Sequence, residues 1–291
     1  MVPYIKKKMK KITVSGLFEL SVEGLSPYVG NGRPQEASKI CVTVMDMNCT
    51  PEVGSLDSQY LSAKDKEYIL GEATSLIDRA IEKALYVMVH DEVACIVINL
   101  PGKYFCDYVN EVALELKVHL EVKEAAKSVF HLSSTEILGL AVKYKSLGVD
   151  LYREGTSANH LSAHLFFCQA VKWLAMIEPC DVDDILEDIK AIKMQCYNNL
   201  ALYHLSKKHY SLAVTATTKV LEVENTNVKA RYRRAVANTE LQNYEEAEND
   251  LKLALTMDPN NVPIKKQQEE LKKRQKVVTD KYAVAMKKFF S

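Results

Sequence analysis

Residues Tyr197–Asn261 have the sequence YNNLALYHLSKKHYSLAVTATTKVLEVENTNVKARYRRAVANTELQNYEEAENDLKLALTMDPNN, in which one unit occurs twice. Small residues and an aromatic residue recur at an offset of roughly 34 residues. The matched pairs are Ala201 and Ala235, Ala213 and Ala247, and Tyr210 and Tyr244. Two antiparallel helices can approach each other closely only where the side chains between them are small. The pattern therefore predicts two helical hairpins in tandem.

An offset of this length is typical of the tetratricopeptide repeat (TPR), a helix–turn–helix unit. The upstream segment Thr135–Glu154 is amphipathic, and Gly148 lies where the first helix of a repeat packs on its second. A capping residue at Ser134 or Thr135 marks the start of this segment, and His160–Ile177 provides the second helix. The sequence therefore predicts another repeat before the first two.

Two further segments complete the helical half of the chain. An acidic insertion around Glu178–Glu187 lengthens the connection between the first and second repeats, and a helix runs from Pro263 to about Phe290. The apolar side of this last helix is sparse, which favours a helix that caps the end of a repeat stack. We expect residues 135–291 to form an all-α TPR superhelix of three repeats with a C-terminal capping helix.

The first half of the chain has the patterns of β-strands and one helix. Strand patterns occupy Ile12–Val22, Ile40–Met45, Glu92–Leu100 and Val112–Val122, and Ser75–Met88 is an amphipathic helix. One helix laid across an antiparallel sheet is the simplest architecture for residues 1–126. Residues 127–134 then form a linker, and the fold class of the whole chain is α+β.

Composition limits the classes of function. The formal net charge is zero, with 38 basic and 38 acidic residues, so a nucleic-acid partner is not expected. No apolar run reaches membrane-spanning length, and seven cysteines without a CxxC pair suit a reducing cytosolic or nuclear compartment. The common nucleotide, hydrolase and metalloprotease motifs are absent. His204 and His209 lack a third ligand and are expected on a helix surface, so neither a metal nor a cofactor is predicted.

Several short strings in the first half resemble the FK506-binding-protein (FKBP) family of immunophilins. They are Cys41–Met45, Gly54–Ser58 (GSLDS), Leu70–Gly71 and Ile81–Met88 (IEKALYVM). The resemblance implies an FKBP-like sheet domain whose active members hold a prolyl bond in an apolar pocket lined with aromatic rings. Cis/trans isomerisation of a peptide bond has a barrier of roughly 18–20 kcal/mol. Such a pocket lowers this barrier by favouring the twisted, less polar amide of the transition state.

The pocket positions implied by this resemblance carry mostly aliphatic residues. Ile81 replaces the tryptophan of the pocket floor, Met45 replaces a strand tyrosine, and the chain is too short after Tyr104 for the long loop that covers the pocket. The full set of degenerate pocket positions is Met45, Leu56, Asp57, Ile77, Ile81, Tyr104 and Leu114. We therefore expect prolyl isomerase activity and macrolide binding to be absent or very weak; an isomerase with an unusual aliphatic pocket is the alternative.

TPR immunophilins bind the acidic tail of a heat-shock chaperone, ending Glu-Glu-Val-Asp, in a two-carboxylate clamp. The resemblance implies such a clamp here, because charge-assisted hydrogen bonds are needed to draw carboxylates from water. The matching residues are Lys145, Asn199, Lys229 and Arg233, whereas Val149 stands where asparagine is expected. Loss of that amide removes about 1.5–3 kcal/mol, which weakens tail binding by roughly one to two orders of magnitude. Alternatively, the cations are ordinary solvated surface and Asn199 hydrogen-bonds within the superhelix.

The resemblance also implies protein partners. Divergent members of the family suggest a non-catalytic adaptor or co-chaperone that supports a casein-kinase-1-type circadian kinase, and the alternative is a conventional heat-shock co-chaperone. The basic amphipathic segment Tyr282–Phe290 resembles the calmodulin-binding tail of larger TPR immunophilins, although capping of the repeat stack is the favoured interpretation. An apolar repeat groove also permits self-association.

Overall fold

The computed structural model describes residues 10–14, 18–25, 33–51, 56, 58–61, 66–102, 110–177 and 184–289. The chain divides into two compact units. The sheet unit comprises residues 1–132 with 150–162, and the helical unit comprises residues 133–149 with 163–291.

The sheet unit contains a six-stranded antiparallel sheet with the strand order β1-β2-β5-β6-β3-β4. The strands are β1 (Lys10–Val14), β2 (Phe18–Gly24), β3 (Lys39–Thr50), β4 (Glu67–Ile69), β5 (Glu92–Pro101) and β6 (Glu111–Glu124). The alternating segment Ile12–Val22, which the sequence assigns to sheet, contributes to two strands: β1 and β2 pair with each other, with Val14 opposite Phe18. Because Gly16 sits between two alternating runs, the pattern alone does not reveal the reversal.

One helix, α1 (Leu76–Leu85), packs on the sheet. Ser75 caps it by accepting a hydrogen bond from the Asp78 N–H. The helix buries Ile77, Ile81 and Leu85 against alternate residues of the central strands, which have period-two burial. The predicted α+β arrangement of this half, an antiparallel sheet crossed by one helix, is confirmed.

Seven helices follow in the described part of the chain. They are α2 (Ser134–Glu154), α3 (Ser157–Leu174), α4 (Leu186–Ser206), α5 (Tyr210–Val223), α6 (Val228–Glu240), α7 (Tyr244–Met257) and α8 (Val262–Phe289). Consecutive helices from α4 to α8 pack on each other, which is the TPR-like arrangement that the sequence predicts.

The start of α2 corrects one detail of the sequence interpretation. The N-cap is Ser133, one residue before the expected Ser134 or Thr135. Its Oγ accepts a hydrogen bond from the Glu136 N–H at 3.2 Å, and its own N–H donates to Glu136 Oε2 at 2.8 Å. This reciprocal pair is a capping box.

Small residues lie where the helices of the repeats meet. The four alanines of the repeated unit, Ala201, Ala213, Ala235 and Ala247, are all fully buried. A Cβ atom added to Gly148 would lie 2.7 Å from Cε1 of Phe167, a residue of α3 that is itself buried. These packing predictions are confirmed. The only tryptophan of the chain, Trp173, is buried at the end of α3.

The described side chains of the last helix that pack against the preceding repeat lie in its first half. Ile264 and Leu271 are buried against the preceding repeat, whereas Tyr282 and Phe289 are 67% and 82% exposed. Arg274 anchors the packed half through ion pairs to Glu240 and Glu270. Among the helices that the structure describes, none has the length and apolar character needed to cross a membrane.

Candidate functional site

The degenerate pocket positions fall into three groups in the structure. Ile77, Ile81 and Leu114 are 2%, 0% and 1% exposed and belong to the core of the sheet unit, and Leu56 packs against that core. Asp57 and Tyr104 lie outside the described residues. The structure therefore brings four of the seven predicted positions to one apolar core.

Met45 is separated from that group. Its side chain is 56% exposed, and the pairing of β3 with β6 shifts between Val44 and Asp46, so that Met45 is the extra residue of a β-bulge. A bulge re-aims the local side chains, which explains why a residue inside a predicted strand does not join the core. Alternation in the sequence gives no sign of this insertion.

Two buried carboxylates on α1 were missed by the sequence interpretation. Glu82 is 5% exposed, and its Oε1 accepts hydrogen bonds from the Gly71 N–H at 2.8 Å, the Ala73 N–H at 3.2 Å and the Tyr60 hydroxyl at 3.2 Å. Asp78, one helical turn earlier, is 2% exposed and accepts from the Ser58 hydroxyl and the Gln59 N–H. The available signal was two acids four residues apart on an otherwise apolar helix face.

Burial dominates the electrostatics of this pair. It raises the pKa of Glu82 to about 7, although the hydrogen bonds from Gly71, Ala73 and Tyr60 and the nearby Arg79 partly oppose the rise. Burial also raises the pKa of Asp78. Because the backbone N–H groups of Gln59, Tyr60, Gly71 and Ala73 donate to these carboxylates, the pair fixes two loops to α1. Its evident role is structural.

The TPR groove is defined here as the surface that carries Lys145 of α2, Asn199 of α4, and Lys229 and Arg233 of α6. Lys229 and Arg233 are four residues apart and therefore lie on one face of α6. Lys229 is exposed, whereas Lys145, Asn199 and Arg233 are half-buried. Val149, the aliphatic exception, is half-buried one turn after Lys145.

Three hydrogen bonds hold two of the groove cations against α4. Lys145 Nζ donates to Gln195 Oε1 at 3.1 Å. Arg233 Nη1 donates to Asn198 O at 3.0 Å and to Asn198 Oδ1 at 3.1 Å. These contacts bring cations of α2 and α6 to the same middle helix, next to Asn199. The sequence interpretation identified the cations but not Gln195 and Asn198.

The other two arginines of α6 have a different role. Arg234 donates to both carboxylate oxygens of Asp250 on α7, at 2.7 and 2.8 Å, and Arg231 donates to the same carboxylate at 3.1 Å. The side chain of Asp250 is only 4% exposed. These ion pairs therefore join the two helices of the third repeat. Arg231 and Arg234 stabilise the packing of α6 on α7, whereas Arg233 belongs to the TPR groove.

His204 lies in a cluster of aromatic rings with His164, Tyr203 and His209. The ring of His164 stacks on Tyr203 at a centroid distance of 4.3 Å and meets His204 edge-on at 5.1 Å. His204 Nδ1 is buried and has no hydrogen-bond partner among the described residues, so one edge of this half-buried ring faces the interior, whereas His209 is exposed as expected from the sequence. Burial, with His204 and His209 nearby, lowers the pKa of His164 to about 4. Within the described residues, no group of three or more His, Cys, Asp and Glu side chains could hold a metal ion.

Comparisons with known proteins agree with this division of the chain. Residues 26–126 match the family described as BDBT FKBP like N-terminal, and residues 228–261 match the tetratricopeptide repeat. In structure, the chain is similar to residues 1–211 of CG17282, with a TM-score of 0.53 and 20% identity over 69% of this chain and 96% of that one. This likeness concerns the fold alone.

Two curated relatives are peptidyl-prolyl cis-trans isomerases. The chain is 26% identical to FKBP4 of Bos taurus over 221 residues, which are 74% of this chain and 47% of that protein. It is 30% identical to isomerase D of Kluyveromyces lactis over 162 residues, which are 53% of this chain and 42% of that protein. The chain spans less than half the length of each. Residues 26–126 are thus similar to an FKBP-like N-terminal domain and residues 228–261 to a tetratricopeptide repeat, and the chain as a whole is similar in sequence to FKBP4.

Proposed function

We propose that this chain is a non-catalytic adaptor of the co-chaperone type, whose TPR groove binds an acidic C-terminal peptide of a heat-shock chaperone. The observation that carries the proposal is the approach of Lys145 and Arg233 to α4 beside Asn199, with Lys229 one turn from Arg233. Cations and an amide around one surface provide charge-assisted hydrogen bonds for a pair of carboxylates. Cytosolic or nuclear localisation suits such a partner.

The expected affinity is lower than that of a complete clamp. Val149 offers no hydrogen bond to the tail, and its replacement by asparagine should restore about 1.5–3 kcal/mol. Val149→Asn is therefore expected to tighten tail binding by at least about tenfold. Unchanged affinity in this variant would mean that residue 149 does not face the bound carboxylate.

A titration of purified full-length chain into a labelled peptide ending Glu-Glu-Val-Asp tests the proposal. Micromolar binding is expected, and Lys229→Glu with Arg233→Glu should abolish it because both groove cations become anions. Lys265→Glu with Lys266→Glu on α8 makes the same change in net charge outside the groove and should leave binding nearly unchanged. Equal loss in both double variants would point to non-specific attraction instead of a clamp.

The sheet unit is proposed to have no isomerase activity. Among the described residues, Ile77, Ile81 and Leu114 belong to its core and Met45 is exposed at a bulge. The proposal is supported by the lack of an aromatic ring at these four positions. Conversion of a proline peptide should proceed at its spontaneous rate in the presence of the chain. An accelerated rate would favour the alternative, a weakly active peptidyl-prolyl isomerase, and Asp57→Ala would then show whether the activity belongs to this pocket.

A kinase client is the finer part of the proposal. Among divergent members of the FKBP family, the chain resembles the insect protein Bride of Doubletime, and this resemblance supports a casein-kinase-1-type circadian kinase as the second partner. The purified kinase should bind the full-length chain, and the Lys229→Glu and Arg233→Glu variant should retain that binding if the sheet unit supplies the contact. A chain that binds the chaperone peptide but no such kinase would be a conventional co-chaperone.

A further inference from the structure

We propose that Gln195 and Asn198 of α4 are positioning residues that hold the groove cations ready for an anionic ligand. This inference rests on the proposed function, because it assigns a role in the binding of the same acidic peptide. Neither residue belongs to the set implied by the family resemblance. Both contact a member of that set from the middle helix of the groove.

The geometry places both contacts on one face of α4. Gln195 and Asn198 are three residues apart, which puts their side chains next to each other on a helix, and Asn199 directly follows. Gln195 Oε1 accepts from Lys145 Nζ of α2 at 3.1 Å, and Asn198 Oδ1 accepts from Arg233 Nη1 of α6 at 3.1 Å. Helix α4 therefore orients one cation from each neighbouring first helix.

The side-chain acceptors of both groove cations are neutral amide oxygens. An amide oxygen accepts a hydrogen bond but carries no charge, so the contacts with Gln195 and Asn198 hold the side chains of Lys145 and Arg233 without neutralising them. Arg231 and Arg234 differ because the carboxylate of Asp250 neutralises part of their charge. Among the α6 arginines, Arg233 thus combines a fixed position with an amide acceptor, which suits the recognition of a carboxylate.

Fixed cations should also lose less conformational freedom when the peptide binds. A lysine or arginine side chain has many rotamers, and ordering it opposes association. The amide contacts order these side chains before the ligand arrives. A charged acceptor in the same place would order them equally well but would compete with the ligand.

Isosteric charge variants separate positioning from packing. Asn198→Asp and Gln195→Glu keep the size and the acceptor oxygen but add a negative charge beside the cation. Each should raise the Kd of the Glu-Glu-Val-Asp peptide about tenfold, which corresponds to about 1.4 kcal/mol, and should flatten its salt dependence. Asn198→Ala should have a smaller effect, because the Asn198 backbone oxygen also accepts from Arg233. Asn260→Asp, an exposed position between α7 and α8, controls for the added charge.

The experiment is a fluorescence anisotropy titration of the labelled peptide with the full-length chain and these variants at several salt concentrations, with circular dichroism as the check of folding. The proposal is supported when the wild type binds, Asn260→Asp binds equally, and both Asn198→Asp and Gln195→Glu bind about tenfold more weakly while folded. Wild-type affinity in folded Asn198→Asp and Gln195→Glu would overturn it and leave the proposed function standing. No binding by the wild type would overturn both.

Discussion

At the scale of single residues, the contact of Gly148 with Phe167 gives a sharp test of the helical packing. An alanine Cβ at position 148 would lie 2.7 Å from a buried aromatic ring, and overpacking of this kind costs about 1–3 kcal/mol. The higher helix propensity of alanine offsets up to about 1 kcal/mol of that. Gly148→Ala should therefore lower the free energy of unfolding of the helical unit by about 1 kcal/mol in urea denaturation.

The matched control lies on the same helix. Apart from its chain neighbours and the backbone of its own helical turn, no heavy atom of the described residues would lie within 4 Å of a Cβ atom on Gly139. Gly139→Ala should therefore gain helix propensity at no packing cost. It is expected to raise the free energy of unfolding by up to about 1 kcal/mol. Changes of the same sign in the two variants would contradict the packing role assigned to Gly148.

The buried glycine and alanines were predictable from sequence because their positions repeat. A repeat imposes the same helix contact at a fixed offset, so four alanines identify that contact without any structure. Glu82 and Asp78 were not predictable in this way. Their partners are backbone N–H groups of loops, and no residue type in the sequence marks which backbone groups will converge on a helix.

At the scale of elements, the carboxylate of Asp250 joins α6 to α7. Asp250→Ala removes the carboxylate that pairs with Arg231 and Arg234. Both arginines are partly buried and would lose this partner. The loss of one partner of a buried pair costs about 3 kcal/mol. We expect the variant to unfold at correspondingly lower urea concentration, whereas Lys252→Ala, which breaks an exposed pair with Glu248 on the same helix, should change stability by less than about 1 kcal/mol.

A destabilisation of similar size in both α7 variants would show that the Asp250 network adds nothing beyond surface charge. Asp250→Asn is the finer comparison. It keeps the shape and one acceptor oxygen, so its cost measures the loss of the charge together with the loss of the second acceptor.

Element boundaries were less predictable than element types. The helices of the repeats and the single helix of the sheet unit follow from apolar periodicity, but β3 runs to Thr50, five residues past the predicted end at Met45. The bulge at Met45 interrupts the alternation there, and so a strand continues where the sequence pattern stops. In the groove, the cations were predictable from the family pattern, whereas Gln195 and Asn198 were not, since amides on a helix surface carry no pattern.

At the scale of the whole molecule, the two units should respond to pH in opposite directions. Because the pKa of Glu82 is raised from 4.5 to about 7 in the folded chain, its contribution to stability is complete below about pH 4.5. That contribution is lost as the pH rises to about 7, and it amounts to about 3 kcal/mol. Asp78, whose pKa is also raised, acts in the same direction.

His164 acts in the reverse direction in the helical unit. Its pKa falls from 6.5 to about 4 in the folded chain, so its contribution is complete above about pH 6.5 and is lost as the pH falls towards 4. Hydrogen exchange resolved along the chain should show α1 less protected and α3 more protected at pH 7 than at pH 5. Glu82→Gln should reduce the pH dependence of α1 without affecting α3, and an unchanged dependence of α1 would contradict the role of Glu82.

The position of Trp173 has an optical consequence. The chain contains one indole, which is buried in α3 of the helical unit, and the corresponding floor position of the sheet unit holds Ile81. Selective excitation of indole therefore records emission from the helical unit alone. Unlabelled protein thus carries a native fluorophore that distinguishes the melting of its repeats from the melting of its sheet.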